Sequence, residues 1–137
     1  MVKEFKREFD SLKQIFEFVD EFIVARRISE AHRYPITFVI EELFTNMVKY
    51  NSHGEREIVL RLEDTAKQIL IEIVDYTDQP FDLSKHRGVD VALPLEDRNP
   101  GGLGIYLTKK MMDEIHYSFK NGESRTTLIK YLEKKHV

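Results

Sequence analysis

The chain has 137 residues, is 42% hydrophobic and 33% charged, and carries a net charge of −3. That size and balance fit one soluble globular domain, 1–137, and show no basic field that would advertise nucleic acid. With no cysteine there is no disulfide framework, thiolate zinc site or thiol nucleophile, and the five scattered histidines show no metal-ligand spacing.

In chain order, residues 2–9 read as a short edge strand weakened by Lys and Glu. Ser11 with Gln14 has the spacing of a capping box, and Leu12, Ile15, Phe16, Val19, Phe22 and Ile23 follow at helical intervals. This predicts a first helix to about Arg27. Pro35 suits the start of a second helix, whose stripe is Ile36, Ile40, Leu43, Phe44 and Met47. Glu42 and Asn46 lie one turn apart on the flank of that stripe, neither deep in the core nor on the solvated face. Asn is a poor helix-interior residue, so its place there asks for a reason, the bland one being a solvent-side polar pair. Gly54 is a plausible stop for this helix.

Residues 56–63 and 68–75 alternate as two antiparallel strands joined at Asp64–Lys67, with Asp75 at the C-terminal end of the second. Residues 82–100 show no period, and a loop of that length inside a compact domain suggests a lid or binding loop. The run Gly101-Gly102-Leu103-Gly104 then opens a helix ending near Asp113 or Glu114. A glycine turn at a helix N-terminus presents unpaired N–H groups suited to phosphate, although a plain flexible turn would look the same. Two final strands, 115–120 and 125–132, flank Asn121-Gly122. The order β-α-α-β-β-lid-α-β-β predicts an α+β, two-layer sandwich: a mixed, mostly antiparallel sheet with helices on one face. No apolar run is long enough to span a membrane and the first residues are too charged for a signal peptide, so the expectation is cytoplasmic.

Glu42-Leu43-Phe44-Thr45-Asn46, Asp75 to Phe81, and Pro94 to Ile115 with its Gly-Gly-Leu-Gly core occur in a fixed order. That order resembles the ATP-binding (Bergerat-type) fold of gyrase, histidine kinases and mismatch-repair ATPases, and more narrowly the anti-sigma-factor serine/threonine kinases. The resemblance spans about residues 5–132. It implies ATP and Mg²⁺ as ligands, Asn46 as the metal ligand and Glu42 as the base for a serine or threonine hydroxyl. It further implies Asp75 as acceptor for the adenine amino group, Thr126 as support for the adenine, and Gly102, Leu103 and Gly104 at the phosphates. The implied substrate is an anti-anti-sigma (STAS-type) protein, with a sigma factor as a further partner; members of the family are often homodimers.

The aspartate segment departs from the family pattern. Thr77 stands where a glycine is usual, and counting from Pro80-Phe81 puts Tyr76, not Asp75, at the adenine position. Tyr50 stands where a histidine is frequent. The alternative function is a non-catalytic interaction module of the same fold that binds nucleotide weakly.

Overall fold

The structure, a computed structural model, describes residues 1–50, 54–77 and 102–132. The elements are β1 (Val2–Phe5), α1 (Leu12–Ala25), α2 (Arg33–Tyr50), β2 (Ile58–Asp64), β3 (Gln68–Tyr76), α3 (Gly102–Met111), β4 (Glu114–Lys120) and β5 (Glu123–Tyr131). The strands form one sheet in the order β1-β2-β3-β5-β4, antiparallel at every described pairing. The predicted lid, 82–100, lies outside the described residues.

Strand alternation decides which face is covered. Ile58, Leu60 and Leu62 of β2, Ile69, Ile71 and Ile73 of β3, and Leu128 of β5 are all buried. Successive side chains of a strand point to opposite faces, so these residues form one apolar sheet face. The buried sides of α1 and α2, with Ile105 of α3, join them in a single core. Burying each such aliphatic side chain contributes about 1.5–3 kcal/mol, which is what fixes the register of the sheet.

Helix α1 buries Ile15, Phe18, Val19, Phe22 and Ile23, whereas Phe16 is 37% exposed. The inward stripe is therefore rotated from the predicted one, and Phe18 packs edge-on against Phe5 of β1. The capping box is not made. The Ser11 side chain makes no cap hydrogen bond; its hydroxyl donates instead to the Lys6 carbonyl at 2.8 Å. A buried hydroxyl takes whichever acceptor the fold offers, and here that acceptor belongs to the turn after β1. The predicted first strand is correspondingly shorter, ending at Phe5.

The C-terminus of α1 closes in a Schellman arrangement. The Ile28 N–H donates to the Ile23 carbonyl and the Arg27 N–H to the Val24 carbonyl. Arg27 occupies the left-handed position with φ 54°, where glycine is the usual residue. A short helical turn, Glu30–His32, leads into α2, which begins two residues before Pro35. The Asn121-Gly122 turn has φ 54° and 77°, both left-handed, as a two-residue type I′ hairpin requires. Helix α3 stops at Met111, short of the predicted end, because Asp113 N–H already pairs with Ile129 and Glu114 begins β4.

Candidate functional site

Helix α2 carries the first pair. Its buried stripe includes Ile36, Val39, Ile40, Leu43, Phe44 and Val48. Asn46 is also buried, at 8% exposure, while Glu42 is half-buried. The flank position expected for Asn46 is therefore covered by the packing of neighbouring elements. The Asn46 amide Nδ2 donates to Glu42 Oε1 at 3.5 Å, a long bond that ties the two side chains across one helical turn. A buried amide needs its donors and acceptor occupied. With Nδ2 turned to the carboxylate, the carbonyl oxygen is the group left to act as a ligand.

Helix α3 supplies the second part. A Cβ placed on Gly104 would overlap the Glu42 carboxyl carbon and both its oxygens. The first turn of α3 thus approaches the Glu42 carboxylate so closely that a side chain at this position would displace the carboxylate from where it stands. Thr108, fully buried, donates from its hydroxyl to the Gly104 carbonyl at 2.9 Å and locks that turn. Leu103 is 51% exposed and α3 begins at Gly102.

Burial pushes the Glu42 carboxyl above the usual carboxylate range. The Asn46 hydrogen bond opposes that rise, nearby Glu41 adds to it and Lys49 counters it. Desolvation disfavours the charged form, so this carboxylate is a stronger base than a solvated one.

Strands β3 and β5 supply the third part. Asp75 is buried near the end of β3, on the same face as Ile71 and Ile73. Across the ladder Asp75 faces Ser124 and Ile73 faces Thr126, and both polar residues on β5 are buried. Asp75, Ser124 and Thr126 therefore share the helix-covered face. Ser124 Oγ donates to the Tyr117 hydroxyl at 3.3 Å. Thr77, at the position where glycine was expected, is buried, and its N–H donates to the Gly122 carbonyl at 2.9 Å. Among the described residues only Arg27 and Asn121 are non-glycines with positive φ. The backbone at Thr77 thus needs none of glycine's freedom. The other half of this segment, Asp78 to Phe81, lies outside the described residues.

One residue of this region escaped the sequence reading. Arg7, in the turn after β1, forms an ion pair with Asp75: its Nη2 donates to Asp75 Oδ1, with both side chains buried. The available signal was slight: Arg7 sits two residues beyond Phe5, on the inward side of an alternation that the strand does not continue. Arg56 lies over the Tyr76 ring, 3.5 Å from its centroid, in the same corner.

Helices laid on one face of an antiparallel sheet, with polar groups converging where α2, α3 and the end of β3 meet, define the ATP-binding α/β sandwich class. The chain belongs to the histidine kinase-like ATPase domain family, whose family model matches residues 5–130. Over 107 residues it is 27% identical to the serine-protein kinase RsbW of Listeria monocytogenes serovar 1/2a, covering 74% of this chain and 68% of that protein. Its fold is similar to a chain in the crystal structure of the SiaB-SiaC complex from Pseudomonas aeruginosa. The TM-score is 0.63 at 12% identity, covering 96% of this chain and 88% of that one. At that identity the second likeness concerns the fold alone.

Proposed function

We propose that this chain is an ATP- and Mg²⁺-dependent protein serine/threonine kinase that phosphorylates an anti-anti-sigma partner of STAS type and thereby acts as an anti-sigma factor. The observation that carries the proposal is the packing of the Glu42–Asn46 pair against the glycine-opened turn of α3. Similarity to a serine-protein kinase supports it. A cytoplasmic location accompanies this reading; among the described residues no helix is long and apolar enough to cross a membrane.

The residues fit the ligands. Asn46 offers an amide oxygen, the hard donor type that Mg²⁺ takes, and bound Mg²⁺ would neutralise phosphate charge. Glu42, made more basic by burial, accepts the proton of the attacking hydroxyl. The absence of a side chain at Gly104 lets the Glu42 carboxylate lie against the N-terminal turn of α3, whose first backbone N–H groups lack helical partners and suit phosphate oxygens. Gly102 and Leu103 begin that turn, and Asp75 with Thr126 forms the base side. Phosphoryl transfer asks mainly for positioning and charge stabilisation, and these groups supply both.

Incubation with labelled ATP and a STAS-type partner tests the proposal. Transfer to a serine or threonine of the partner is expected, together with its loss in Glu42→Ala; full transfer in that variant would overturn the base assignment.

A second reading is favoured by one observation: Asp75, the base-reading carboxylate, is already paired with Arg7. On this reading the chain is a non-catalytic interaction module. Calorimetry separates the two, since absence of binding at millimolar ATP with Mg²⁺ would support the module.

A further inference from the structure

Arg7 is placed with care for a residue in a connecting turn. Its side chain is 3% exposed and that of Asp75 is 6% exposed. Besides the Asp75 bond, Nη2 donates to the Arg56 carbonyl at 3.4 Å and Nη1 to the Met47 carbonyl at 3.5 Å. The guanidinium thus spans α2, the approach to β2, and β3. The turn that carries it is fixed separately, since the Lys6 carbonyl accepts from both Glu8 N–H and the buried Ser11 hydroxyl, each at 2.8 Å. The displaced capping box acquires a purpose here: Ser11 secures the turn that aims Arg7.

Two features set this pair apart from a clamp between the chain's start and the sheet. First, Arg7 Nε is buried and has no hydrogen-bond partner among the described residues. A buried donor left open asks for a reason, and it lies beside a carboxylate in the candidate cleft. Second, the approach is one-sided. Arg7 follows β1, which lies beyond β2, whereas Ser124 and Thr126 flank β3 from β5 on its other side. An ionised carboxylate accepts on two oxygens, and Arg7 engages Oδ1.

We propose that Arg7 is the positioning residue for base recognition: by fixing Asp75 through Oδ1 and supplying its counter-charge, it leaves Oδ2 to accept a hydrogen bond from the exocyclic amino group of adenine. Discrimination between purine nucleotides then depends on Arg7, a residue that itself touches no base. This rests on the ATP-binding reading above and deepens it. A buried carboxylate without its partner would swing toward other donors, and that change removes the acceptor from its place.

The test compares ATP with ITP, which carries a carbonyl in place of the amino group. Affinities for both are measured by calorimetry with Mg²⁺ on the full chain, in the wild type, Arg7→Met, Arg7→Gln and Arg7→Lys. Wild type is expected to favour ATP. In Arg7→Met, ATP affinity falls by about tenfold to a hundredfold, the worth of one hydrogen bond to a charged group, while ITP affinity holds. Arg7→Lys, which keeps the charge, restores part of the preference. If Arg7→Met does not fold, Arg7→Gln, neutral but still able to donate, decides by the same ratio. A wild-type ATP-to-ITP ratio in the neutral variants, an equal loss for both nucleotides, or tighter ATP binding would each overturn the proposal. Those outcomes leave the kinase reading standing. A wild-type protein that binds neither nucleotide overturns both.

Discussion

The two sides of the candidate site are built on different principles. On the α2–α3 side, Glu42, Asn46 and Gly104 are held by short-range helical geometry and close packing. On the β3 side, Asp75 is held by a buried ion pair to a distant part of the chain. In the first arrangement a methyl group at Gly104 would push the Glu42 carboxylate aside. The second depends on a remote segment: a change in the turn after β1 alters the environment of Asp75, and reaches α2 only through the Met47 carbonyl.

Substitutions on each side test that contrast. Glu42→Ala should lower the rate of phosphoryl transfer by about 10²- to 10⁴-fold, the usual worth of a general base, with binding of ATP retained. On the other side, Asp75→Ala strands the Arg7 guanidinium in the core. Loss of one partner of a buried pair costs about 3–5 kcal/mol, read by urea denaturation. The double variant Arg7→Met/Asp75→Leu should recover much of that loss, since no charge is left unpaired; if the two losses simply add, the pair is not coupled. Gly104→Ala should lower transfer by turning the Glu42 carboxylate aside, while stability changes by no more than about 1 kcal/mol, the helix preference for Ala offsetting the displaced side chain. If it leaves transfer intact, the α2–α3 contact is looser than the structure shows.

Smaller effects follow from protonation and backbone strain. The Glu42 carboxyl lies above its ordinary value of 4.5. Its raised value means that the folded protein loses stability as the pH rises from that ordinary value through the raised one, where the buried group must ionise. Glu42→Gln should therefore be more stable than wild type at neutral pH, with the difference vanishing below about pH 4, under the reference value for a free Glu. Transfer runs the opposite way, slowing as the pH falls through the raised value and the base takes up its proton. Least in size, Arg27→Gly should raise stability by about 0.5–1 kcal/mol by relieving a left-handed arginine, and its melting temperature should rise without any change in activity.

Local features were legible in the sequence and long-range ones were not. The alternation of Ile58, Leu60 and Leu62 and of Ile69, Ile71 and Ile73 announced the central strands because their whole inward face is apolar. The spacing of Glu42 and Asn46 placed them on one flank of a helix. The burial of Asn46 depends on what packs over that flank, which no helical wheel records. Phe16 was expected in the inward stripe, but the structure buries Phe18 instead, edge-on against Phe5 of β1, a strand contact that the helical spacing does not contain. Arg7 and Asp75 are 68 positions apart, so their pairing becomes visible only once the sheet order is known.

The central strand of the sheet also orders events in time. β3 pairs with β2, which precedes it directly, and with β5, where Gln68 meets Tyr131 and Tyr76 meets Glu123. A ribosome therefore delivers β3 with one edge unpaired, and that edge waits through the synthesis of everything up to the last hairpin. Non-local pairing of this kind is slow to form, and an open strand edge recruits other chains. Because Ser124 and Thr126 arrive with β5, the polar cluster around Asp75 is the last part of the candidate site to be completed. A nascent chain halted before Glu123 would carry Glu42, Asn46 and Gly104 together with an adhesive edge, making premature termination here a source of aggregates.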